Sequence, residues 1–181
     1  VLFRSTAALE VLEVVGEDDD PRAWSLGSEA GREGRALRID LHADDAEVTV
    51  RYRTLPTGEA VQWLEPQQTA EGTHPFVYTQ GQAILTRSWI PCQDTPGNRV
   101  TWSAWVTAPR DLRVVMSGEG TGPRPVPGRD HLLRWRHELP LAVPPYLIAL
   151  AVGRLERVAI SPRVAIFAEP DRKSTRLNSS H

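Results

Sequence analysis

Two glutamines on either side of a glycine form the part of the sequence best suited to bind a polar ligand. They are Gln80, Gly81 and Gln82, followed by Ala83. A side-chain carboxamide accepts a hydrogen bond through its oxygen and donates through its nitrogen, so one group can contact both an ammonium and a carbonyl. Because it is neutral, it also costs less to desolvate than a carboxylate. Without further information, however, the pattern favours the simpler interpretation that both glutamines cap a hairpin.

The residue types that most often perform catalysis do not form a recognisable set. No H-E-x-x-H motif is present, and a zinc site needs three well-spaced ligands and an open fourth position. Cys92 is the single cysteine, which excludes an internal disulfide or a Cys-based zinc site and favours a buried small residue. The three aspartates at residues 18–20 lack the alternating ligands of a calcium loop and predict a solvated turn. The histidines before the last eleven residues are His42, His74, His131 and His137.

Composition narrows the classes of partner. The formal net charge is -2 and 40% of the residues are hydrophobic, which is enough for a packed core. A mildly acidic chain without a basic cluster argues against nucleic acid as a partner. The longest apolar stretch, residues 139–153, contains three prolines, and no run of 18 apolar residues exists. We therefore expect no transmembrane helix and no membrane partner.

Alternation of apolar and polar residues is the dominant pattern, as in β-strands with one buried face. Residues 36–42 and 46–54 alternate in this way, and the turn-like residues 43–45 between them predict a hairpin. Residues 99–109 are rich in β-branched and aromatic types, and residues 111–118 follow after a short turn, so both are predicted strands.

The remaining segments predict loops and one further strand. Residues 16–35 are polar, acidic and glycine-rich, and residues 121–130 are rich in proline and glycine, so both are predicted loops. Residues 146–160 are ambiguous between a buried strand and a short helix, but the preceding prolines favour a strand. The coarse result is an all-β domain of antiparallel or mixed sheets, sandwich-like or saddle-like.

The segment at residues 89–98, WIPCQDTPGN, is predicted to have a structural role rather than to contact a ligand. Asp94 is placed to bond its own following backbone in an Asx-type turn. Arg87 either supports the neighbouring loop or is solvated, and the sequence does not decide between these. The tryptophans favour core and domain-interface packing over a sugar-stacking platform; they are Trp63, Trp89, Trp102, Trp105 and Trp135.

Both ends of the chain resemble translated sequencing-adapter DNA, which is excluded from fold reasoning. These ends are residues 1–5, VLFRS, and residues 171–181, DRKSTRLNSSH. Lys173 is the only lysine in the chain, and all other basic residues except histidine are arginine. Without the two ends, four basic and one acidic residue are lost and the formal charge moves from -2 to -5. We therefore expect residues 6–170 to be a domain, incomplete at its start, from a longer protein.

Residues 60–97 resemble the N-terminal domain of the M1 family of zinc aminopeptidases, in the branch of leukotriene A4 hydrolase and aminopeptidase B. Several pieces match in order: QWLEPQQT, HPF, TQGQA, R-x-W-I-P-C-Q-D-T-P, VTAP and PPYLIALAVG. The resemblance runs approximately over residues 36–168. It implies an all-β saddle that packs on a thermolysin-like catalytic domain, with a peptide as the substrate. It also implies that Gln80, Gly81, Gln82 and Ala83 belong to a loop that reaches into the cleft beside the zinc.

The sequence departs from this family in what it lacks. Both H-E-x-x-H and the G-x-M-E-N stretch that recognises a free amino group are absent, and in the family both follow the point where this chain stops. The resemblance therefore implies zinc in the full-length enzyme and none in this fragment, which we expect to be inactive and cytoplasmic. The alternative is a stand-alone β-sandwich module that binds peptide or glycan through its tryptophans.

Overall fold

The structure, a computed structural model, describes residues 2–17 and 19–170, and these residues form β-strands and short 3₁₀ turns. No helix among them has the length and hydrophobicity needed to cross a lipid bilayer. The prediction of an all-β fold is confirmed. The 3₁₀ turns are Gly31–Glu33, Pro66–Gln68, Thr86–Ser88 and Pro145–Leu147. The strands are β1 (Leu2–Thr6), β2 (Leu9–Val15), β3 (Trp24–Leu26), β4 (Arg35–Ile39), β5 (Thr49–Thr54), β6 (Val61–Leu64), β7 (Phe76–Thr79), β8 (Val100–Pro109), β9 (Arg113–Met116), β10 (Glu119–Val126), β11 (Arg129–Val143), β12 (Leu150–Gly153), β13 (Glu156–Ser161) and β14 (Val164–Ala168).

The described residues divide into two compact units. Unit 1 contains those within residues 1–61, 80–100 and 141–148, and unit 2 contains those within 62–79, 101–140 and 149–170. The carboxamide loop, defined here as Gln80, Gly81, Gln82 and Ala83, belongs to unit 1.

Unit 1 contains two small antiparallel sheets with a shared core. One sheet has the order β1-β4-β3, and the other pairs β2 with β5. Leu37 and Ile39 alternate on the inner face of β4, and a register shift between Val11 and Glu13 lets both Val11 and Val14 of β2 pack against them. Leu37 and Ile39 have no solvent exposure, and their burial supplies much of the hydrophobic stabilisation of this unit.

The hairpin predicted for residues 36–54 is wrong. Both segments are strands, but both edges of β4 are occupied by β1 and β3, while β5 pairs with β2. The turn between them is stabilised by Asp45, whose carboxylate accepts hydrogen bonds from the Arg22 guanidinium at 2.8 and 2.7 Å and from the amide of His42 at 2.8 Å. The Arg22 hydrogen bond lowers the pKa of Asp45 to about 2. The chain therefore crosses from one sheet to the other at this turn.

The loop predicted for residues 16–35 is also wrong in part. This segment contains β3, which pairs with β4 through Trp24 opposite Ile39 and Leu26 opposite Leu37. Its Arg22 is buried, with the side chain only 3% exposed. The strand has three residues, which is too short for an alternating pattern to reveal among polar neighbours.

Unit 2 contains a four-stranded sheet, a three-stranded sheet and a hairpin. The four-stranded sheet has the order β6-β7-β12-β9, and Val152 of β12 lies opposite Val77 on one side and Val114 on the other. These three valines are buried. The strand predicted within residues 146–160 is confirmed, since this segment contains β12 and most of β13.

The second predicted loop, residues 121–130, instead contains most of β10, a tight turn and the first two residues of β11. The three-stranded sheet has the order β10-β11-β8, so β10 is an edge strand, where a proline removes no hydrogen bond from the sheet interior. Pro123 and Pro125 both lie in this strand. Gly128, with φ of 71°, occupies the tight turn that leads into β11, a conformation that favours glycine.

The two chain ends differ, because only the N-terminal one contains residues of a described strand. Residues 171–181 and Val1 lie outside the described residues. The backbone of residues 2–5 belongs to β1, which pairs with β4 from Leu2 opposite Ile39 to Thr6 opposite Arg35. The assignment of residues 1–5 and 171–181 to adapter sequence, with 6–170 as the natural domain, stays a prediction.

Candidate functional site

The carboxamide loop connects the end of β7 to the 3₁₀ turn Thr86–Ser88, and its two glutamine side chains are exposed. The amide of Gln80 donates to the carbonyl of Ala60 at 2.8 Å, and the amide of Leu85 donates to the carbonyl of Gly81 at 2.8 Å. The peptide bond between Gln82 and Ala83 is cis. The loop is thus anchored through its backbone, which leaves both carboxamides available to a ligand.

Gly81 is the buried member of this loop. A Cβ at this position would lie 2.5 Å from Oγ1 of Thr86, closer than real Cβ atoms approach such a neighbour, and 3.0 Å from Cα of Tyr146, which is a tight contact. Glycine at this position therefore lets the loop backbone pack directly against Thr86 and Tyr146.

The base of the loop contains a buried ion pair between Arg87 and Asp94. The side chain of Asp94 has no exposure and that of Arg87 has 6%. Oδ2 of Asp94 accepts from the backbone amide of Arg87 at 2.9 Å and lies 3.5 Å from its Nε, while the guanidinium also donates to the carbonyls of Asp94 and Glu33. A charge this deeply buried is tolerated because it is paired and hydrogen-bonded. Arg87 therefore supports the loop and is not solvated.

The Asx-type turn predicted at Asp94 is wrong. The carboxylate binds the backbone and side chain of Arg87, seven residues earlier, rather than its own following backbone. Local sequence could not reveal this, because an aspartate before Thr95 and Pro96 satisfies the turn pattern equally well. The one signal was Arg87 itself, a charged residue within a largely uncharged segment.

Ser88 connects the loop to a second segment of unit 1. Its hydroxyl accepts from the amide of Ala60 at 3.0 Å and donates to the carbonyl of Leu85 at 2.7 Å. Ala60 has no solvent exposure, and its carbonyl accepts a hydrogen bond from the amide of Gln80. Sequence reasoning missed Ser88, because serine in a loop carries no distinctive pattern.

Tyr52 adds a hydrogen bond to the segment that follows the loop. Its hydroxyl donates to the carbonyl of Trp89 at 2.8 Å. Burial, with a smaller contribution from the nearby Cys92, raises the pKa of Tyr52 from 10.0 to about 12. The phenol is therefore protonated, and able to donate, throughout the neutral range.

We expect Tyr52→Phe to lower the free energy of unfolding by about 1 kcal/mol at neutral pH, the typical value of one such hydrogen bond. The folded state binds the phenol proton more tightly than the unfolded state does. The associated stability is therefore complete below pH 10 and is lost as the pH rises towards 12. Urea unfolding at several pH values should show the two proteins converging above pH 10. A difference that stays constant from pH 9 to 11 would contradict this assignment.

The tryptophans divide between core and surface. Trp135 is only 7% exposed, as predicted for core packing, whereas Trp63 and Trp105 are 64% and 57% exposed. Cys92 is half-buried, so the expectation of a fully buried small residue is only partly met.

No group of three or more histidine, cysteine, aspartate or glutamate side chains within residues 2–17 and 19–170 could hold a metal ion. That the zinc of the full-length enzyme is held outside this part of the chain stays a prediction.

Comparison with known proteins defines the class to which this fold and loop belong. The sequence model of the peptidase M1 N-terminal domain matches residues 32–138, which include the carboxamide loop and the Arg87–Asp94 pair. The chain belongs to this family.

Individual relatives place the chain near one branch of the family. It is 40% identical to mouse aminopeptidase B over 131 residues, 71% of this chain and 19% of that protein. It is 33% identical to leukotriene A-4 hydrolase of Xenopus laevis over 175 residues, 94% of this chain and 29% of that protein. The chain thus spans less than a third of the length of these relatives.

Solved structures agree with the fold. Native leukotriene A4 hydrolase from Saccharomyces cerevisiae superimposes with a TM-score of 0.80 at 32% identity, covering 93% of this chain and 25% of that one. An M1 zinc metallopeptidase from Deinococcus radiodurans, in a mutant bound to a Tyr-Ser-Ala substrate, gives a TM-score of 0.66 at 18% identity. It covers 92% of this chain and 38% of that one, and at this identity it supports the fold alone.

Proposed function

We propose that this chain is the N-terminal domain of a zinc-dependent aminopeptidase and supplies part of the wall that binds the peptide substrate. The observation that carries the proposal is the carboxamide loop: two exposed glutamines on a backbone anchored at Ala60 and Leu85. Relatives of the same family are named aminopeptidases. A cytoplasmic location stays a prediction from the sequence.

The chemistry of the loop fits recognition of a peptide's N-terminal residue. An aminopeptidase must hold a protonated α-amino group and orient the first peptide carbonyl. The oxygen of a carboxamide accepts from the ammonium, and its nitrogen donates to the carbonyl. We assign this role to Gln82 first and to Gln80 second, with Gly81 and Ala83 as the backbone that presents them.

The zinc chemistry belongs to residues that this domain does not contain. In the full-length enzyme, zinc would polarise the scissile carbonyl and activate water. The contribution of this domain is binding and orientation, which requires that its loop keep a fixed geometry. The buried Arg87–Asp94 pair and the bridging hydroxyl of Ser88 provide that rigidity.

The test of the proposed function is to produce the protein encoded when the reading frame is extended past Pro170. We expect the extension to contain G-x-M-E-N and H-E-x-x-H, and the protein to hydrolyse aminoacyl anilides in a chelator-sensitive manner. A stop codon or an unrelated domain at that point would contradict the proposal and favour a stand-alone peptide- or glycan-binding module. In that case the exposed Trp63 and Trp105 would be the first residues to test.

For the chain by itself we expect no stoichiometric zinc and no cleavage of an aminoacyl anilide. The reason is the lack of a suitable ligand group in residues 2–17 and 19–170. Metal analysis of the purified, tag-free chain after dialysis is the measurement. One tightly held zinc per chain would overturn the assignment of the metal to another domain.

A further inference from the structure

Unit 2 contains a small cavity whose floor is apolar and whose rim is formed by arginines. Four segments of chain meet there: the β8–β9 turn, the edge strand β10, the long strand β11 and the connection from β12 to β13. The cavity has a volume of about 190 Å³. None of its residues belongs to the carboxamide loop, so it is independent of the proposed peptide site.

The floor of this cavity is buried hydrocarbon. Leu112, Trp135 and Leu155 are each less than a tenth exposed, and Leu133 and Pro123 complete the apolar surface. Contact with such a surface favours a ligand that has an apolar body, because burial removes that body from water.

The rim provides unbalanced positive charge. Arg110, Arg113 and Arg154 line the cavity together with a single carboxylate, Asp111. Arg154 forms an ion pair with Glu71 at 2.9 Å, outside the lining. The charge of that arginine is therefore already compensated, and the other two decide the electrostatics of the rim.

Arg110 and Arg113 form no ion pair with any described residue. The Nε of Arg110 donates to the main-chain carbonyl of Asp130 at 2.9 Å, and the guanidinium of Arg113 lies 5.9 Å from the centre of the Phe167 ring. These contacts orient the two groups without neutralising them. A guanidinium beside a partly desolvated apolar surface is the side chain best suited to bind a carboxylate through two parallel hydrogen bonds.

We propose that this cavity binds a small free carboxylic acid with an apolar body, the carboxylate at Arg110 and Arg113 and the body on Trp135 and its neighbours. The size of the cavity limits the ligand, since pockets for drug-sized molecules have volumes of about 300–1,000 Å³. A cation would have only the carboxylate of Asp111 as a partner of opposite charge, and a neutral molecule would form no ion pair with the arginines of the rim.

The test is calorimetric titration of the full chain with 3-phenylpropionate and with 3-phenylpropanol, which shares its apolar body but has no charge. We expect one molecule of the acid to bind with a dissociation constant of about 1 mM or lower. The alcohol should bind about tenfold more weakly, because charge-assisted hydrogen bonds to the arginines are lost. Added salt should weaken binding of the acid more than binding of the alcohol.

Variants decide whether the arginines are responsible. Arg113→Met and Arg110→Met replace exposed side chains and should each weaken binding of the acid about tenfold while leaving the alcohol unchanged. Arg163→Met is the matched control, because Arg163 is exposed in the β13–β14 turn and does not line the cavity. Its affinity for the acid should equal that of the wild type.

Four outcomes would overturn the proposal. They are no binding of the acid at 20 mM, equal affinity for acid and alcohol, wild-type affinity in both Arg113→Met and Arg110→Met, and an equal loss in Arg163→Met. The last outcome would indicate non-specific attraction to exposed arginines rather than a site.

Discussion

Asp94→Ala lowers the free energy of unfolding by about 3–5 kcal/mol, the expected effect of leaving a buried charge without its partner. The variant removes the only carboxylate that pairs with Arg87 among the described residues, and it also removes the acceptor for the Arg87 backbone amide. Since small domains have total stabilities of about 5–15 kcal/mol, a large part of the population could unfold. Chemical denaturation followed by circular dichroism is the measurement.

Three further variants make this result specific to the buried pair. Asp94→Asn keeps an oxygen that can accept from the Arg87 amide and should lose less stability. Combining Asp94→Ala with Arg87→Met removes the uncompensated charge and should recover part of the loss. Asp44→Ala, at an exposed turn residue, should change stability by less than about 0.5 kcal/mol. If Asp94→Ala had the same free energy of unfolding as Asp44→Ala, the buried pair would not stabilise the folded chain.

Gln82→Ala lowers kcat/KM of the full-length enzyme by about tenfold or more, given the role proposed for the carboxamide loop. One or two hydrogen bonds that involve the charged substrate amine are lost, at about 1.5–3 kcal/mol each. Because such contacts strengthen as the transition state forms, kcat should fall as well as the apparent affinity. The measurement is steady-state kinetics on an aminoacyl anilide, after zinc content and melting temperature have been matched to the wild type.

Related glutamine variants provide comparisons for the expected loss of kcat/KM in Gln82→Ala. Gln82→Glu should be milder than Gln82→Ala, because a carboxylate still accepts from an ammonium, and Gln80→Ala should lie between Gln82→Ala and the wild type. Gln67→Ala is the matched control, since Gln67 is an exposed glutamine in the 3₁₀ turn Pro66–Gln68. Wild-type kcat/KM in a folded, zinc-loaded Gln82→Ala enzyme would leave the loop with a structural role only.

The strands were the part of the fold most accessible from sequence. Alternation located β4 and β5 to within a few residues, because one buried face imposes a period of two on the side chains, and enrichment in β-branched and aromatic residues located β8, with β9 following after a short turn. The same rule failed for β3, which is too short to alternate, and for β10, whose Pro123 and Pro125 are typical of loops.

The sequence pointed to the two exposed glutamines of the candidate site, but it did not reveal the residues that hold the loop in place. The resemblance placed Gln80 and Gln82 in a loop that contacts the substrate; both side chains are exposed in the structure, and their role stays a prediction. The supporting groups lie across many residues of sequence: Tyr52 reaches Trp89, and Ser88 reaches Ala60. Neither contact has a local pattern, so neither could be inferred before the chain was folded.

The sequence by itself determined the all-β class, the family and the position of the two carboxamides, because these depend on local alternation and on an ordered set of motifs. Only the tertiary structure decided that β4 pairs with β1 and β3, that Asp94 binds Arg87, and that the arginines of unit 2 share a cavity. The physical reason is the range of the interactions. Side-chain alternation is a property of neighbouring residues, whereas strand pairing and the burial of charge are decided by contacts between segments that meet only in the folded chain.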